Sequence, residues 1–350
     1  MIAVAAVYVY FLLFAQFGFL KAVQAALGGG TEVIRPIMAV MGLAGVGGSV
    51  LAARLFAEQN GRRGLNVGFG LCAAAAAGSM GANSLGEFSG VAFLVGLGTG
   101  LTTVTLAGML RRAAGDMRLG LIIGTGTGLA YGICNLPGIF DACPEAQAQW
   151  AVVAVAAGWA GGRRLTPQFR LAQTGGEYSK PATAAWVVVF AALVCLDSAA
   201  FYIIQHTSAL KERMWAGTEQ LLLNASAHLV VAVLAGWALD RGWLGRAVGL
   251  GAAALLLACG LLDQPAPAGV GLLYIAGVSL YSTGLVYYPS RSGRPGLAAL
   301  VYVVAGWGGS ALGIGLVEGQ QELFPVFIGT AGTIILVGFI LRGLDHGQKA

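Results

Sequence analysis

The sequence predicts an all-α polytopic membrane protein, with twelve transmembrane helices arranged as two six-helix bundles. Three observations carry that prediction. Apolar residues make up 57% of the 350 positions and charged residues only 10%, against roughly 25% charged in a soluble chain. The apolar residues gather in stretches of helical span length, too long and too Gly/Ala-rich for porin strands, which alternate over about 10 residues. The basic residues fall almost entirely into alternate connections. A mean hydropathy of +0.78 excludes disorder. The 56 glycines follow no G-X-Y period and suit close helix contact inside a bilayer.

A helix needs about 20 apolar residues to cross the hydrocarbon. Stretches of that kind, broken by Gly, Pro or charge, lie near 2–27, 32–57, 64–83, 88–110, 118–137, 148–162, 184–206, 216–239, 246–262, 269–288, 296–317 and 324–342. They leave no room for a soluble domain. With the N-terminus in the cytoplasm, one face collects Arg54, Arg62, Arg63, Arg111, Arg112, Arg118, Arg163, Arg164, Arg170, Lys180, Arg241, Arg246, Arg291, Arg294, Arg342 and Lys349. The other collects Lys21, Arg35, Lys211 and Arg213. That bias places both termini in the cytoplasm. The first span has no basic leader and no cleavage site, so it reads as a helix that stays. Economy of loops suggests a bacterial inner (plasma) membrane. The net charge of +5 is topology information and implies no nucleic-acid partner.

The polar segment 163–183 divides the chain into an N-terminal bundle, 1–162, and a C-terminal bundle, 184–350. Each half places a Gly-Arg turn after its second span: Gly61-Arg62-Arg63 in the first, and Asp240-Arg241 followed by Gly245-Arg246 in the second. Parallel repeats about an axis along the membrane normal are a transporter plan. Twelve spans, a central basic loop and this turn resemble the major facilitator superfamily, whose signature between helices two and three reads G-x-x-x-D-R-x-G-R-R. The second copy, from Gly236 through Asp240 and Arg241 to Gly245 and Arg246, matches with two extra residues. The first keeps Gly48, Gly61, Arg62 and Arg63 but has Ala52 in place of the aspartate. The resemblance implies alternating access, with the turn as a cytoplasmic gate latch whose Asp lies near a helix N-terminus or a basic partner. The chain departs from proton-coupled and antiporter members: no arginine lies in the fourth span, and no Gly-Pro pair lies inside the fifth.

An ionisable residue inside a span is a functional candidate. The seventh span carries Asp197 with Ser198, Tyr202 and Gln205 at helical spacing, and His206 beyond. The eighth carries Gln220, Asn224 and His228 at i, i+4 and i+8, with Glu219 at its start. One helix face holds each set. For Gln220 and Asn224 a cavity and an interhelical hydrogen-bond seam stand equal; Asp197 and His228 are assigned to a cavity. On the first helix Tyr10, Phe14, Phe17, Lys21 and Gln24 share a face. Lys21 has three readings: an anion contact, a pair with Asp197 or Glu32, or snorkelling to the interface. On the tenth, Tyr274, Tyr281 and Tyr288 repeat at seven, with Tyr281 the lining candidate.

Cys134 and Cys143 flank an outer loop and suit a disulfide on an oxidising side, with free thiols as the alternative. No metal, haem, P-loop or nucleophile-elbow pattern occurs, so neither cofactor nor enzyme activity is indicated. The expected function is secondary transport of a small polar solute coupled to protons, in symport, by a lipid-embedded monomer or complex subunit. A non-transporting facilitator-like subunit or assembly factor is the alternative. A metal or copper importer using His206, His228 and Met214 comes third.

Overall fold

The computed structural model describes residues 1–165, 178–262, 269–320 and 322–347. Twelve long helices and no strand occur among them. They are α1 (Ile2–Leu27), α2 (Thr31–Leu55), α3 (Gly61–Ser79), α4 (Leu85–Ala114), α5 (Leu119–Cys134) and α6 (Pro144–Arg163). The second set is α7 (Lys180–His206), α8 (Thr218–Asp240), α9 (Leu244–Leu261), α10 (Val270–Ser292), α11 (Pro295–Val317) and α12 (Pro325–Gly347). Short helices Pro137–Phe140 and Ser208–Trp215 join α5 to α6 and α7 to α8. Nine of the twelve are long and apolar enough to cross a bilayer. Of the others, α5 is short, α3 opens with arginines, and α6 opens on Pro-Glu-Ala-Gln. Large apolar side chains are exposed along the helices, with Leu43 and Val326 more than 70% exposed. The chain is an all-α polytopic membrane protein.

Helix ends follow local chemistry. Ser84 and Glu87 form a capping box that satisfies donors at the start of α4. Pro144 and Pro295 occupy first-turn positions, where a missing N–H leaves no intrahelical bond unmade. Gly293 ends α10 in the left-handed region, at φ 63°, where a Cβ is disfavoured. Three boundaries differ from expectation. Arg62 and Arg63 form the exposed first turn of α3 instead of preceding it, since their long side chains reach outward from a helix. The first turn of α6 takes in Pro144 and Glu145. And α10 runs four residues past Tyr288, through the buried Pro289. Two helices carry a π-helical stretch that the sequence did not announce: Tyr10–Gly18 within α1 and Tyr302–Gly309 within α11. Wide turns of this kind occur often at functional sites.

Each set of six packs on itself and along two seams on the other. In the first, α2 lies on α4, α3 on α4 and α6, and α1 on α5 and α6. In the second, α9 lies on α10, α7 on α11 and α12, and α8 on α10. Between the sets, α5 lies along α8, α10 reaches α4 and α5, and α11 runs beside α2 and α4. Two seams, α5/α8 and α2/α11, therefore join the halves. Of the expected segment 163–183, residues 166–177 lie outside the described residues.

Candidate functional site

The interior polar groups converge on α7. Asp197 lies within that helix, between turns whose Leu193, Leu196 and Ala200 are wholly buried, yet it retains part of its surface. Tyr274 donates to its Oδ1 at 2.5 Å, and Tyr281 donates to its Oδ2. The two tyrosines are seven residues apart on α10, two turns along one face, so together they clasp both carboxylate oxygens. Next to Asp197, the Ser198 hydroxyl donates to Ser310 of α11 at 3.0 Å. Tyr131 of α5 faces Ser282 and lies within electrostatic reach of Asp197 and Tyr281. Tyr8 of α1 meets Tyr302 of α11 hydroxyl to hydroxyl. Thr127 and Thr283 add a 3.3 Å contact between α5 and α10. Among the described residues no lysine or arginine comes within ion-pair distance of Asp197.

His228 is placed differently from the expectation of an open cavity. It is 3% exposed, stacked on Tyr131 at 4.4 Å and 7°, with Nδ1 2.8 Å from the Ser279 hydroxyl of α10. Gln220 donates to Asn224, and Asn224 donates to the Met214 carbonyl, both at 2.8 Å. The α8 stripe is thus a seam joining α5, α10 and the short helix before α8. Helical spacing puts side chains on one face without saying what covers that face. Glu219 is exposed at the start of α8. Tyr202 and His206 stack at 4.0 Å at the far end of α7, while the Gln205 amide nitrogen is buried without a partner.

On α1 the centre is met by Tyr8, and Tyr10 is buried at 2% beside Phe14 and Cys72. Lys21 lies over Phe17 at 5.9 Å, near Asp141 and Lys211. It pairs with neither Asp197 nor Glu32. His206, His228 and Met214 do not converge, and no group of three His, Cys, Asp or Glu forms a metal site among the described residues. Cys134 is buried and Cys143 exposed, both as free thiols, so the structure holds no disulfide between them.

Contacts close both ends of the seams. At the arginine-rich end, Asp240 accepts from the amides of Gly120 (2.6 Å) and Leu121 (2.9 Å) in the first turn of α5. Those amides have no intrahelical acceptor, and the helix dipole favours negative charge there. Gly236 allows the approach: a Cβ on it would sit 2.3 Å from the Gly120 carbonyl oxygen. Arg241 covers Trp237 at 3.5 Å and Arg246 covers Trp243 at 5.4 Å, while Gly245 gives way to Arg342. In the first-half copy, Gly61 lies against Met109 and Arg62 donates to the Leu165 carbonyl. Arg63 is exposed, and Ala52 packs on Ala298 and Ala299 of α11. At the opposite end, Arg35 of α2 holds Glu318 at the end of α11, at 2.9 Å.

No protein-family model matches the chain, and no curated protein matches it by sequence. Its fold is that of major facilitator transporters. A bacterial homologue of the iron transporter ferroportin, in an outward-facing state with soaked iron, superposes with a TM-score of 0.66 at 14% identity, over 99% of this chain and 98% of that one. The human organic anion transporter TETRAN gives 0.66 at 16% identity, over 97% of each chain. The proton:xylose symporter XylE gives 0.64 at 13%, over 96% and 92%.

Proposed function

We propose that this protein is a secondary transporter, moving a small polar solute by alternating access with coupling to protons. The rocking units are residues 1–162 and 184–350, joined by 163–183, and the arginine-rich end faces the cytoplasm of a bacterial cell. The observation that carries this reading is Asp197. Among the described residues, every other carboxylate lies in a connection, in a short helix or in a terminal turn of its helix. Asp197 alone is set inside a span, where an unneutralised charge is expensive. It stands among hydroxyls contributed by α1, α5, α10 and α11, which are drawn from both halves. Such a group takes up and gives up a proton as access changes. The transporters of similar fold carry iron, organic anions and xylose, so the fold leaves the solute to the site.

A thermal-shift screen of the purified protein identifies a solute, and vesicles with an imposed pH gradient then test coupling. Asp197→Asn should abolish proton-driven accumulation. His228→Ala should lower stability and leave the accumulation-to-exchange ratio at the wild-type value, because its partners are Tyr131 and Ser279. Accumulation unchanged in Asp197→Asn, or flux absent with every solute, contradicts the reading. Orientation is tested separately. An impermeant thiol reagent added to intact cells should label Cys143 and not a cysteine introduced by Ser179→Cys; the reverse pattern inverts the topology.

A further inference from the structure

We infer that the solute is a small monovalent organic ammonium ion, and that it exchanges for the proton of Asp197 instead of travelling with it. The inference rests on the transport reading and deepens it.

The charge balance of the site is the first ground. One carboxylate stands in the interior with no lysine or arginine in reach among the described residues. An anionic solute would meet that charge without a counter-ion. A divalent metal would leave an uncompensated positive charge and lacks a ligand set, as no three metal-binding side chains gather there among the described residues. A monovalent cation restores neutrality.

The second ground is the wall. Tyr274 and Tyr281 set their hydroxyls on the carboxylate, Tyr131 lies within electrostatic reach of it, and Tyr8 and Tyr302 continue the tyrosine cluster behind Tyr131 and Tyr281. Tyrosine faces attract desolvated ammonium groups, most strongly when several are presented to one cation. Asp197, Tyr8 and Tyr131 each keep accessible surface, and a cation binding there would lie against the carboxylate.

The third ground is exclusivity. Among the described residues, the titratable groups facing Asp197 are Tyr274 and Tyr281 from α10 and Tyr131 from α5. His228 of α8 lies behind Tyr131, stacked on it and bonded to Ser279. With one carboxylate available, proton and ammonium ion cannot both be held: binding one releases the other. A carrier of that kind is neutral at the site in both loaded forms and moves one cation against one proton. A neutral solute binding beside a protonated Asp197 would instead give the symport expected from the sequence.

Titration calorimetry on the whole purified protein decides between the two. The probes are methylammonium, tetramethylammonium, tetraethylammonium and choline, with 3,3-dimethylbutan-1-ol as the uncharged analogue of choline. At least one ammonium probe should bind while the alcohol does not. Measured in two buffers of different ionisation enthalpy, binding should release one proton, and affinity should fall about tenfold per pH unit below the titration of Asp197. Asp197→Asn should lose both binding and proton release, and Tyr281→Phe, which keeps the ring, should retain binding within a few-fold. Equal binding of the alcohol, binding without proton release, or the same response to sodium alone overturns the inference. If no ammonium probe binds but a neutral solute is accumulated through Asp197, this inference fails and the transport reading stands. If no solute moves, both fall.

Discussion

The two seams between the halves occupy equivalent places in the repeat, yet they are closed by different physics. Along α5/α8, backbone meets backbone: Gly120 on Gly236 and Gly124 on the Ala232 carbonyl, each with no room for a methyl group. The seam ends in a carboxylate capping two helix amides. Along α2/α11 the corresponding aspartate is Ala52, and closure comes from alanines against Ala298 and Ala299 and from the Trp307 ring over Gly45. Its one ionic contact among the described residues, Arg35 with Glu318, lies at the opposite end. A duplicated motif therefore need not do duplicated work. The intact copy supplies a directed, charge-assisted contact, and the decayed copy supplies surface.

The comparison can be broken most severely at Gly120. A Cβ there would stand 2.4 Å from the Gly236 carbonyl oxygen and 2.8 Å from Asp240 Oδ1, atoms that cannot move without unpicking α8. Gly120→Leu should cost about 1–3 kcal/mol of stability in the closed form and hold the arginine-rich end open in spin-label distances. Gly45→Ala, facing a ring that can swing aside, should cost less; an equal or larger effect would erase the distinction between the seams. Next comes Asp240→Asn, which weakens the cap. The expected shift is roughly 0.5–2 kcal/mol, a few-fold to some thirty-fold in the open population, read as the fraction of long distances across that end. An unchanged distribution would reduce the turn to a topology signal.

Smaller effects sharpen the contrast. The Arg35 side chain is 67% exposed, so Arg35→Gln should change the equilibrium at the opposite end by at most about 1 kcal/mol, less in high salt. A larger, salt-insensitive change would make that pair the equal of Asp240. The smallest effect expected is at Asp116, in the connection before α5. Two hydrogen bonds from Arg111 hold its carboxyl below the usual range. A depressed folded pKa means this stabilisation is complete above the unfolded pKa, near 3.8, and is lost as pH falls through the lower folded value. Since the side chain is 55% exposed, Asp116→Asn should flatten the acid limb of the thermal-unfolding profile only slightly and leave neutral-pH stability nearly unchanged. A marked loss at neutral pH would assign Asp116 a larger part in holding the arginine-rich end.

Helix number and order were legible because span length is set by the bilayer and interruptions by Gly, Pro and charge. Asp197 was legible because a carboxylate among apolar turns has no bland surroundings to hide in, and Tyr281 followed from its repeat on α10. Tyr8, Tyr131 and Tyr302 were not singled out, although each is a tyrosine inside a span. Tyrosine also belongs to interfacial belts, and the facing of residues near a π-helical stretch does not follow α-helical spacing. Tyr10 shows the same lesson in reverse, lying on the favoured stripe but buried against α3 chemistry. His228 and Asn224 were read from a stripe that periodicity could not label as cavity or seam. The Arg35–Glu318 pair spans 283 positions, so nothing local in the chain pointed from one to the other.

Alternating access requires the two ends to open in turn, and paired distances test it directly. One spin-label pair would bridge the α5/α8 seam beside Gly120, and a second would bridge α2/α11 beside Arg35, both measured in wild type and in Asp240→Asn in lipid nanodiscs. Asp240→Asn should lengthen the first distance and keep the second at its closed value. Both distances lengthening together would contradict a carrier that exposes Asp197 to one side at a time.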